Sequence, residues 1–350
     1  MRTLPLSNTS PQATTAETTL AVVLPAHNEA RHIGEVISSM PAFVDAIIVV
    51  DDASTDDTAE VARTSGDARV EVLVHASNAG VGRAMRTGYR RALERGFDVV
   101  AKMDADGQMN PRELARVVEP IVHGVADYTK GNRFYFRGAT RTMPARRNFG
   151  NQLLAFLTKV ASGYWHVYDP QCGFTAARSS FLRLIDMDQL ASDYFFENDM
   201  LIKLNALNAR VVDVPITTLY GSEISGVSVA RVAFTFPPRL FVAGGARFWR
   251  KHLVTDFGAI SVLTLGGLAL SLFGAAFGGY HWWLSSATGH VATTGTVMIA
   301  VLPLIVGIQA LLQAFTLSVA ASPGAAETAA YVRELISHGG LEQGDEATDL

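Results

Sequence analysis

The chain has 350 residues, of which 49% are apolar and 18% charged, and its formal net charge is −4. This charge gives no overall basic field, so the composition argues against nucleic acid as a partner. The single cysteine, Cys172, excludes an internal disulfide and agrees with a cytosolic location for the soluble part. Residues 1–19 are rich in Thr, Ser and Pro and contain no apolar run. We therefore expect a disordered N-terminus and no signal peptide.

Short apolar runs alternate with helical patterns from residue 20 to residue 133. The predicted strands cover residues 20–25, 46–50, 70–74, 99–103 and 126–131. This alternation predicts an α/β fold built on a mostly parallel, doubly wound sheet. Asn28 is expected to cap the first helix. Because no G-x-G-x-x-G follows the first strand, a dehydrogenase-type dinucleotide site is not expected.

Acidic residues follow two of these strands at their carboxyl ends, where open α/β sheets bind their ligands. Asp52 follows the second strand, and Asp104 and Asp106 follow the fourth. Two carboxylates spaced this way on an extended turn can face one ion, and oxygen ligands suit Mg²⁺ or Mn²⁺. The pattern therefore predicts that the protein binds and activates a nucleotide diphosphate. A solvated acidic loop and a structural ion site remain as alternatives.

The next part of the chain contains two further helices and two strands. We predict a helix over residues 146–162, a turn at 169–174 that leads into a strand, a helix over 194–207 and a last strand at 211–215. Glu197 and Asp199 lie in the first turn of the second helix. A helix N-terminus stabilises carboxylates by itself, so the pair has both a structural and a catalytic interpretation.

The C-terminal third is membrane-like in composition. Residues 229–252 are amphipathic and basic, with a break expected at Pro237-Pro238, which is typical of a segment lying on an anionic membrane surface. Residues 257–280 and 291–322 carry no charge and are long enough to span a bilayer, with Trp282 and Trp283 in the loop between them. Lys and Arg crowd the side before the first span, which places the soluble domain and the tail in the cytoplasm. The alternative is a soluble protein whose two apolar helices are covered by a partner.

Taken in order, these motifs resemble those of family 2 glycosyltransferases with the GT-A fold. Within that family the chain is most similar to the branch of dolichol-phosphate mannose synthases and polyprenyl-phosphate hexosyltransferases. The motifs are L-P-A-H-N-E at 24–29, I-V-V-D-D-A-S-T-D-D-T at 48–58, D-A-D-G-Q at 104–108, K-G-N-R at 130–133, D-P-Q-C-G-F at 169–174 and F-E-N-D at 196–199.

The resemblance implies a domain layout along the chain. A disordered N-terminus (1–19) precedes a GT-A domain (20–228) and an amphipathic juxtamembrane segment (229–252). Two transmembrane helices (within 253–322, at about 257–280 and 291–320) and a polar cytoplasmic tail (323–350) follow. The protein would then be an integral membrane protein of the cell or inner membrane.

The resemblance also implies roles for individual residues. The nucleotide sugar would contact Pro25, Ala26, Asn28, Glu29, Asp52, Asn78, Arg83, Asp104 and Arg133. Asp104, Asp106 and Gln108 would hold the Mg²⁺ or Mn²⁺ cofactor, and Asp104, Asp106, Asp169, Glu197 and Asp199 would form the catalytic set. Arg133, Arg146 and Arg147 would bind the acceptor phosphate, since guanidinium groups make bidentate phosphate contacts. The alternative for the arginine pair is a solvated helix start.

The expected reaction moves a hexose, with inversion, from a UDP- or GDP-linked donor to a polyprenyl or dolichyl phosphate. A divalent ion would neutralise the leaving diphosphate. A phosphomonoester has a second pKa of ~6 and is already largely anionic at neutral pH, so no strong base is needed. A lipid hydroxyl such as that of diacylglycerol would need Asp199 or Glu197 as base. A non-catalytic membrane scaffold is a further alternative, and homo-oligomerisation is left open.

The chain departs from related patterns at two places, and a third stretch resembles one subset of the family. Arg247-Phe-Trp249 lacks the glutamine of a Q-x-x-R-W motif, which argues against a processive polysaccharide synthase. Position 150 is Gly where some synthases carry a serine beside the acceptor phosphate, which weakens the acceptor assignment. The Y-G-S-E-I-S stretch at 220–225 resembles a subset of these transferases but does not identify a sugar.

Overall fold

The computed structural model of the protein describes residues 18–135, 145–217 and 229–337. Within these ranges the strands form one seven-stranded sheet in the order β3-β2-β1-β4-β6-β5-β7. Their bounds are β1 Leu20–Ala26, β2 Ala46–Asp51, β3 Val70–Val74, β4 Val99–Lys102, β5 Tyr128–Asn132, β6 Thr175–Arg178 and β7 Val211–Pro215. Only β6 runs antiparallel to its neighbours, β4 and β5. The predicted mostly parallel α/β sheet is confirmed.

Helices cover both faces of this sheet. In chain order they are α1 Ile33–Ser38, α2 Thr58–Arg63, α3 Val81–Glu94, α4 Leu114–Val122, α5 Ala145–Ser162, α6 Ser179–Leu182, α7 Phe196–Ala206, α8 Val229–Phe248, α9 Ala259–Thr288, α10 Thr294–Ala320 and α11 Ala325–Ser337. Because successive strand residues point to opposite faces, Val22 packs with the core under α1, α2 and α4, and Val23 packs with the core under α3 and α7. Burial on both faces explains why the central strands are continuous apolar runs.

Two predicted boundaries in the first and last thirds are wrong for local reasons. Asn28 does not cap α1, which begins five residues later at Ile33. Its backbone is left-handed (φ 60°) and its side-chain oxygen accepts hydrogen bonds from the backbone and hydroxyl of Thr55. The loop predicted at 281–290 is helical as far as Thr288, because nothing before Gly289 (φ 71°) ends the helix.

The expected break at Pro237-Pro238 is also absent from the described chain, since α8 continues through both prolines. Phe236 and Leu240 lie on either side of them and are buried in a cluster with Phe195 and Ile202. The rings of Phe195 and Phe236 meet edge to face with centroids 5.3 Å apart. We infer that this packing holds the helix together across the hydrogen bonds that proline removes.

The helices α9 and α10 are long and apolar enough to cross a membrane, by length and composition. They pack against each other through small residues. A Cβ atom added to Gly267 would lie 2.9 Å from the carbonyl oxygen of Gly307, and one added to Gly274 would lie 2.6 Å from that of Ala300. Such close backbone approach is typical of apolar helix pairs in membranes.

The tail beyond α10 contains a helix that the sequence did not predict. The helix α11 lies beside β7, and Tyr331 is buried in the main core. The Tyr331 hydroxyl lies 3.1 Å from the carbonyl oxygen of Arg116 and 3.1 Å from a carboxylate oxygen of Glu119. The chain after the second apolar helix therefore returns to the same domain from which the first one leaves.

Candidate active site

One edge of the sheet collects most of the predicted site residues. The strands β1, β2, β4 and β5 run in one direction, so their carboxyl ends share this edge. The antiparallel β6 brings its amino end there, and with it the preceding turn at 169–174. Pro25, Asp52, the acidic loop after β4, Arg133 and Asp169 are thus placed around one edge by topology alone.

The acidic loop after β4 is held by hydrogen bonds within its own residues. Asp104 Oδ1 accepts a hydrogen bond from Lys102 Nζ at 2.8 Å, and Asp106 Oδ1 accepts one from the backbone N–H of Gln108 at 3.0 Å. Asn110 caps the turn that follows, since its side chain accepts from the backbone N–H of Arg112. The Asp104 side chain keeps 32% of its surface exposed. It can therefore still bind a ligand.

Beneath this loop, Glu197 lies between two buried lysines. Lys102 Nζ is 3.0 Å from Glu197 Oε1, and Lys130 Nζ is 2.8 Å from Glu197 Oε2. Burial alone would raise the pKa of Glu197, but the two lysines outweigh it and lower this pKa. Burial by itself would lower the pKa of Lys102, but the negative charges of Asp104 and Glu197 outweigh this effect and raise the pKa. Glu197 and Lys102 therefore stay ionised at neutral pH.

The turn at 169–174 closes over this network. Lys130 Nζ donates to the carbonyl oxygen of Cys172 at 2.6 Å, and Lys102 Nζ donates to that of Gly173 at 3.2 Å. A Cβ atom at Gly173 would lie 2.5 Å from Asp104 Oδ2. Only glycine therefore leaves room for the free oxygen of Asp104.

The same turn holds the arginine that follows β5. Asp169 is buried and accepts from Arg133 Nε at 2.6 Å and from Arg133 Nη2 at 3.1 Å. Gln171 Nε2 donates to Asn198 Oδ1 at 2.8 Å, which joins the turn to α7. The paired geometry fixes the guanidinium plane, and about a third of the Arg133 side chain remains exposed.

The predicted nucleoside residues lie around β1 and β2, but Asp52 is already engaged. Its carboxylate accepts from the backbone N–H of Ala79 and of Gly80, and its Oδ1 lies 2.7 Å from His75 Nδ1. Asp52 thus shapes the loop at 77–80. Asn78 is exposed on this loop, and Arg83 is exposed in the first turn of the next helix. Pro25 and Ala26 end β1 in buried positions, and the backbone N–H of Glu29 donates to Thr58 Oγ1.

Three predicted groups are not brought to the cluster by the described contacts. Asp199 accepts from the backbone N–H of Ala191 at 2.9 Å and from Lys203 Nζ at 2.5 Å, away from Glu197. Arg146 and Arg147 lie in the first turn of α5, but their side chains fall outside the described part of the chain. Residues 220–225 fall outside it entirely.

Sequence reasoning missed several polar residues at this edge. Lys102, Lys130, His75 and the buried carboxylate Asp213 all make contacts within or beside the predicted set. A signal was available for Lys102, because it follows three apolar residues in the buried strand β4. A charge in such a position requires a partner.

The donor chemistry of the acidic loop suits a divalent cation, although the loop is an incomplete site. Asp104 and Asp106 supply the carboxylate oxygens that Mg²⁺ and Mn²⁺ prefer, and the room left by Gly173 keeps Asp104 Oδ2 free. Among the described residues, no group of three or more His, Cys, Asp or Glu side chains could hold a metal ion. The residues therefore fit a cation that takes its other ligands from substrate and water.

The apolar helix pair is docked to the same domain near the end of α5. Ser322, just after α10, donates its hydroxyl to the carbonyl oxygen of Gly163 and accepts from the backbone N–H of Trp165. The ring of Trp165 meets Phe315 of α10 edge to face, with centroids 4.9 Å apart. The helix α5 thus links the candidate acceptor arginines at one end to the apolar helices at the other.

Comparisons with known proteins identify the family of this chain. Residues 21–185 match the model of glycosyl transferase family 2. The chain is 32% identical over 222 residues to the UDP-N-acetylglucosamine–dolichyl-phosphate N-acetylglucosaminyltransferase of Methanococcus voltae, covering 59% of this chain and 87% of that relative. It is 33% identical over 232 residues to the polyprenol monophosphomannose synthase of Mycolicibacterium smegmatis, covering 61% and 83%.

A solved structure is similar in fold. Glucosyl-3-phosphoglycerate synthase from Mycobacterium tuberculosis, in complex with Mn²⁺, UDP-glucose and phosphoglyceric acid, superposes with a TM-score of 0.50 at 26% identity. The match covers 66% of this chain and 81% of that one.

Proposed function

The chain belongs to glycosyl transferase family 2, and we propose that it moves a hexose from a nucleotide-diphosphate sugar to a polyprenyl phosphate, with inversion at the anomeric carbon. It has a GT-A-like sheet and is a glycosyltransferase. The name of the first relative gives dolichyl phosphate as the acceptor, and the name of the second gives polyprenol monophosphomannose as the product. The observation that carries the proposal is the placement of the acidic loop and Arg133 at one sheet edge of a domain to which the apolar helices are docked.

The donor is expected along the edge formed by β1, β2 and β4. Pro25, Ala26, Asn28 and Glu29 would border the nucleoside, together with Asn78 and Arg83 from the next loop and helix. The buried Asp52 shapes this loop through Ala79 and Gly80, so we assign it a supporting role in nucleoside binding. Arg133, held by Asp169, would meet the phosphates or the sugar.

Asp104, Asp106 and Gln108 would hold a divalent cation, which when bound neutralises charge on the leaving diphosphate. The related synthase from Mycobacterium tuberculosis contains Mn²⁺ together with its UDP-sugar. In this chain, Lys102 fixes one oxygen of Asp104, and Gly173 leaves room at the other. The arrangement supports Mg²⁺ or Mn²⁺ as the cofactor.

The state of the carboxylates favours a phosphate acceptor over a lipid hydroxyl. A hydroxyl would need a base, yet Glu197 is ion-paired to two lysines and Asp199 to a third. A phosphomonoester is already anionic and needs only cations to bring it near the donor. Arg133 at this edge would supply one of them, and Arg146 and Arg147 in the first turn of α5 would supply the others.

The apolar helices would anchor the enzyme in the membrane. Their two ends dock to the same domain, through Ser322 and Tyr331 on one side and through α8 on the other. Two spans therefore agree with a catalytic domain and tail on one side, which the Lys and Arg bias assigns to the cytoplasm. Exposed Phe234 and Phe241 on α8 support a juxtamembrane role for this segment.

The proposal is tested by incubating membranes that contain the full-length protein with a panel of labelled UDP- and GDP-sugars, with and without added polyprenyl phosphate. We expect one donor to give an acid-labile, lipid-soluble product only when the lipid phosphate is present. The Asp104→Asn variant in the same membranes is the control. A product that forms on diacylglycerol and survives mild acid would instead support the lipid-hydroxyl alternative.

A further inference from the structure

Lys102 and Lys130 belong to one cross-strand row of the sheet. The register pairs Lys102 of β4 with Thr175 of β6, and Lys130 of β5 with the same Thr175. Side chains of residues in register on neighbouring strands point to the same face. Two lysine side chains, 3% and 0% exposed, therefore extend side by side from one sheet face toward Glu197 of α7.

This row brings positive charge directly to the acidic loop. Lys102 Nζ lies 2.8 Å from Asp104 Oδ1 and 3.0 Å from Glu197 Oε1, while Lys130 contacts the other oxygen of Glu197. Lys130 and Glu197 offset each other, and Lys102 offsets one of the two negative charges of Asp104 and Asp106. The loop therefore presents less negative charge to a cation than its sequence suggests.

A divalent cation at Asp104 would also meet Lys102 at short range. The free oxygen, Oδ2, is on the same carboxylate as the oxygen that Lys102 holds. Coulombic repulsion between a divalent ion and an ammonium group in a half-buried site is strong, because few water molecules screen it. The described residues also provide no third His, Cys, Asp or Glu ligand. Protein ligands alone therefore form a weak site.

We propose that Lys102 prevents the free enzyme from retaining a divalent cation. The cation would bind only together with the nucleotide diphosphate, which shares its coordination with Asp104 and Asp106. This inference rests on the proposed function, since it assumes that Asp104 and Asp106 meet a metal–diphosphate complex. The two phosphate groups supply negative charge in place of the carboxylate charge that Lys102 offsets. The cation then binds when the donor binds and loses affinity when the nucleoside diphosphate leaves.

A purely structural role for Lys102 predicts the opposite change on mutation. If Lys102 only held Asp104 in place, removing its charge would loosen the carboxylate and weaken cation binding. If Lys102 offsets charge, removing it should strengthen cation binding to the nucleotide-free enzyme. The sign of the change in Mn²⁺ affinity therefore separates the two roles, independently of catalysis.

The experiment measures Mn²⁺ binding to the detergent-solubilised full-length protein from the loss of the free-ion electron paramagnetic resonance signal. Wild type, Lys102→Met and Lys203→Met are titrated alone and with saturating UDP or GDP. Lys203→Met is the matched control, because Lys203 also pairs with a carboxylate, Asp199, but away from the acidic loop. Lys102→Gln, which keeps a donor for Asp104, replaces the methionine variant if that variant does not fold.

We expect wild type and Lys203→Met to bind Mn²⁺ at least ~10-fold more tightly with nucleotide than without it. In Lys102→Met, nucleotide-free binding should tighten about 10-fold and the effect of nucleotide should shrink. Unchanged or weaker nucleotide-free binding in the Lys102 variant overturns the inference, as does a wild type that binds Mn²⁺ equally well without nucleotide. If wild type binds no Mn²⁺ with either nucleotide, the metal-dependent function itself fails, and the inference fails with it.

Discussion

Arg133 and Asp169 hold each other through two hydrogen bonds, from Nε to Oδ2 at 2.6 Å and from Nη2 to Oδ1 at 3.1 Å. The aspartate is buried, whereas the arginine reaches the sheet edge where the donor is expected. Asp169 therefore fixes the orientation of the Arg133 guanidinium. The assignment of Asp169 to the catalytic set stays a prediction, and we propose that its part in catalysis is to support Arg133.

Asp169→Asn should lower turnover with the donor while the protein stays folded. The amide keeps one acceptor but loses the charge, and hydrogen bonds to charged groups contribute ~1.5–3 kcal/mol. At ~1.4 kcal/mol per decade, kcat/KM for the nucleotide sugar should fall about 10- to 100-fold. Arg210→Met is the matched control, since Arg210 pairs with Asp127 in the same way beyond the opposite end of β5. Equal losses in both variants would contradict a specific role.

Removal of the divalent cation should abolish transfer. Chelation should stop product formation, and added Mg²⁺ or Mn²⁺ should restore it. Asp104→Asn and Asp106→Asn should each lower turnover at least ~100-fold, because a Lewis-acid cation supplies several kcal/mol of charge stabilisation. Thermal unfolding should show that both variants fold. Full activity in excess chelator would eliminate a metal-dependent mechanism.

The acceptor is tested through Arg146 and Arg147 at the start of α5. If these arginines meet the lipid phosphate, Arg146→Ala or Arg147→Ala should cost ~1.5–3 kcal/mol of binding. The apparent KM for polyprenyl phosphate should then rise by one to two decades at ~1.4 kcal/mol per decade. Nucleotide affinity, measured by calorimetry, should barely change. Loss of nucleotide affinity with normal lipid KM would move the pair to the donor site.

Asp213 should make stability depend on pH. Its burial raises the carboxyl pKa from 3.8 to about 7, although Asn132 donates a hydrogen bond to Oδ2 at 2.7 Å. The folded protein thus keeps this proton to higher pH than the unfolded chain. The resulting stability is fully present below about pH 4 and is lost as pH rises through about 7, by up to ~1.4 kcal/mol per pH unit.

Asp213→Asn should flatten this dependence, because the amide cannot ionise. At pH 8 the variant should unfold at a higher temperature than wild type, and at pH 5 the difference should be smaller. Thermal unfolding of both proteins in the same detergent at pH 5, 6, 7 and 8 gives the comparison. Parallel pH curves for the two proteins would show that another group is responsible.

Membrane topology is tested by cysteine labelling in a background without Cys172. A cysteine at Ser286, near the end of α9, should react with an impermeant thiol reagent added to intact cells. A cysteine at Ser337, at the end of α11, should not react until the cells are opened, because α11 lies against the catalytic domain. Labelling of position 337 from outside would overturn the two-span arrangement.

The elements that sequence predicted well are those whose signal is local. Strand β4 and the turn after it follow from an apolar run and paired aspartates within a few residues of each other. Helix α8 was predicted to break because proline removes local hydrogen bonds, but Phe195 lies far away in sequence and its contact with Phe236 decides the outcome. Helix α11 was missed for the same reason, since its burial depends on β7 and α4.

The same contrast between local signals and long-range contacts applies to the site residues. Asp104 and Asp106 could be proposed as cation ligands from sequence, because the signal is their own spacing. The roles of Glu197 and Asp199 could not be separated from sequence, because their partners, Lys102, Lys130 and Lys203, depend on strand register and helix orientation.

The covering of β7 by the C-terminal segment also fixes an order of events during synthesis. The backbone N–H of Asp213 donates to Thr328 Oγ1, and Gly324 (φ 90°) lies directly against Val211, so that edge of the sheet is closed by residues made after both apolar helices. Chains emerge N-terminus first, and an open strand edge invites pairing with other chains. The nascent catalytic sheet therefore leaves the ribosome with one edge uncovered. It reaches its finished form only after α9 and α10 have been translated.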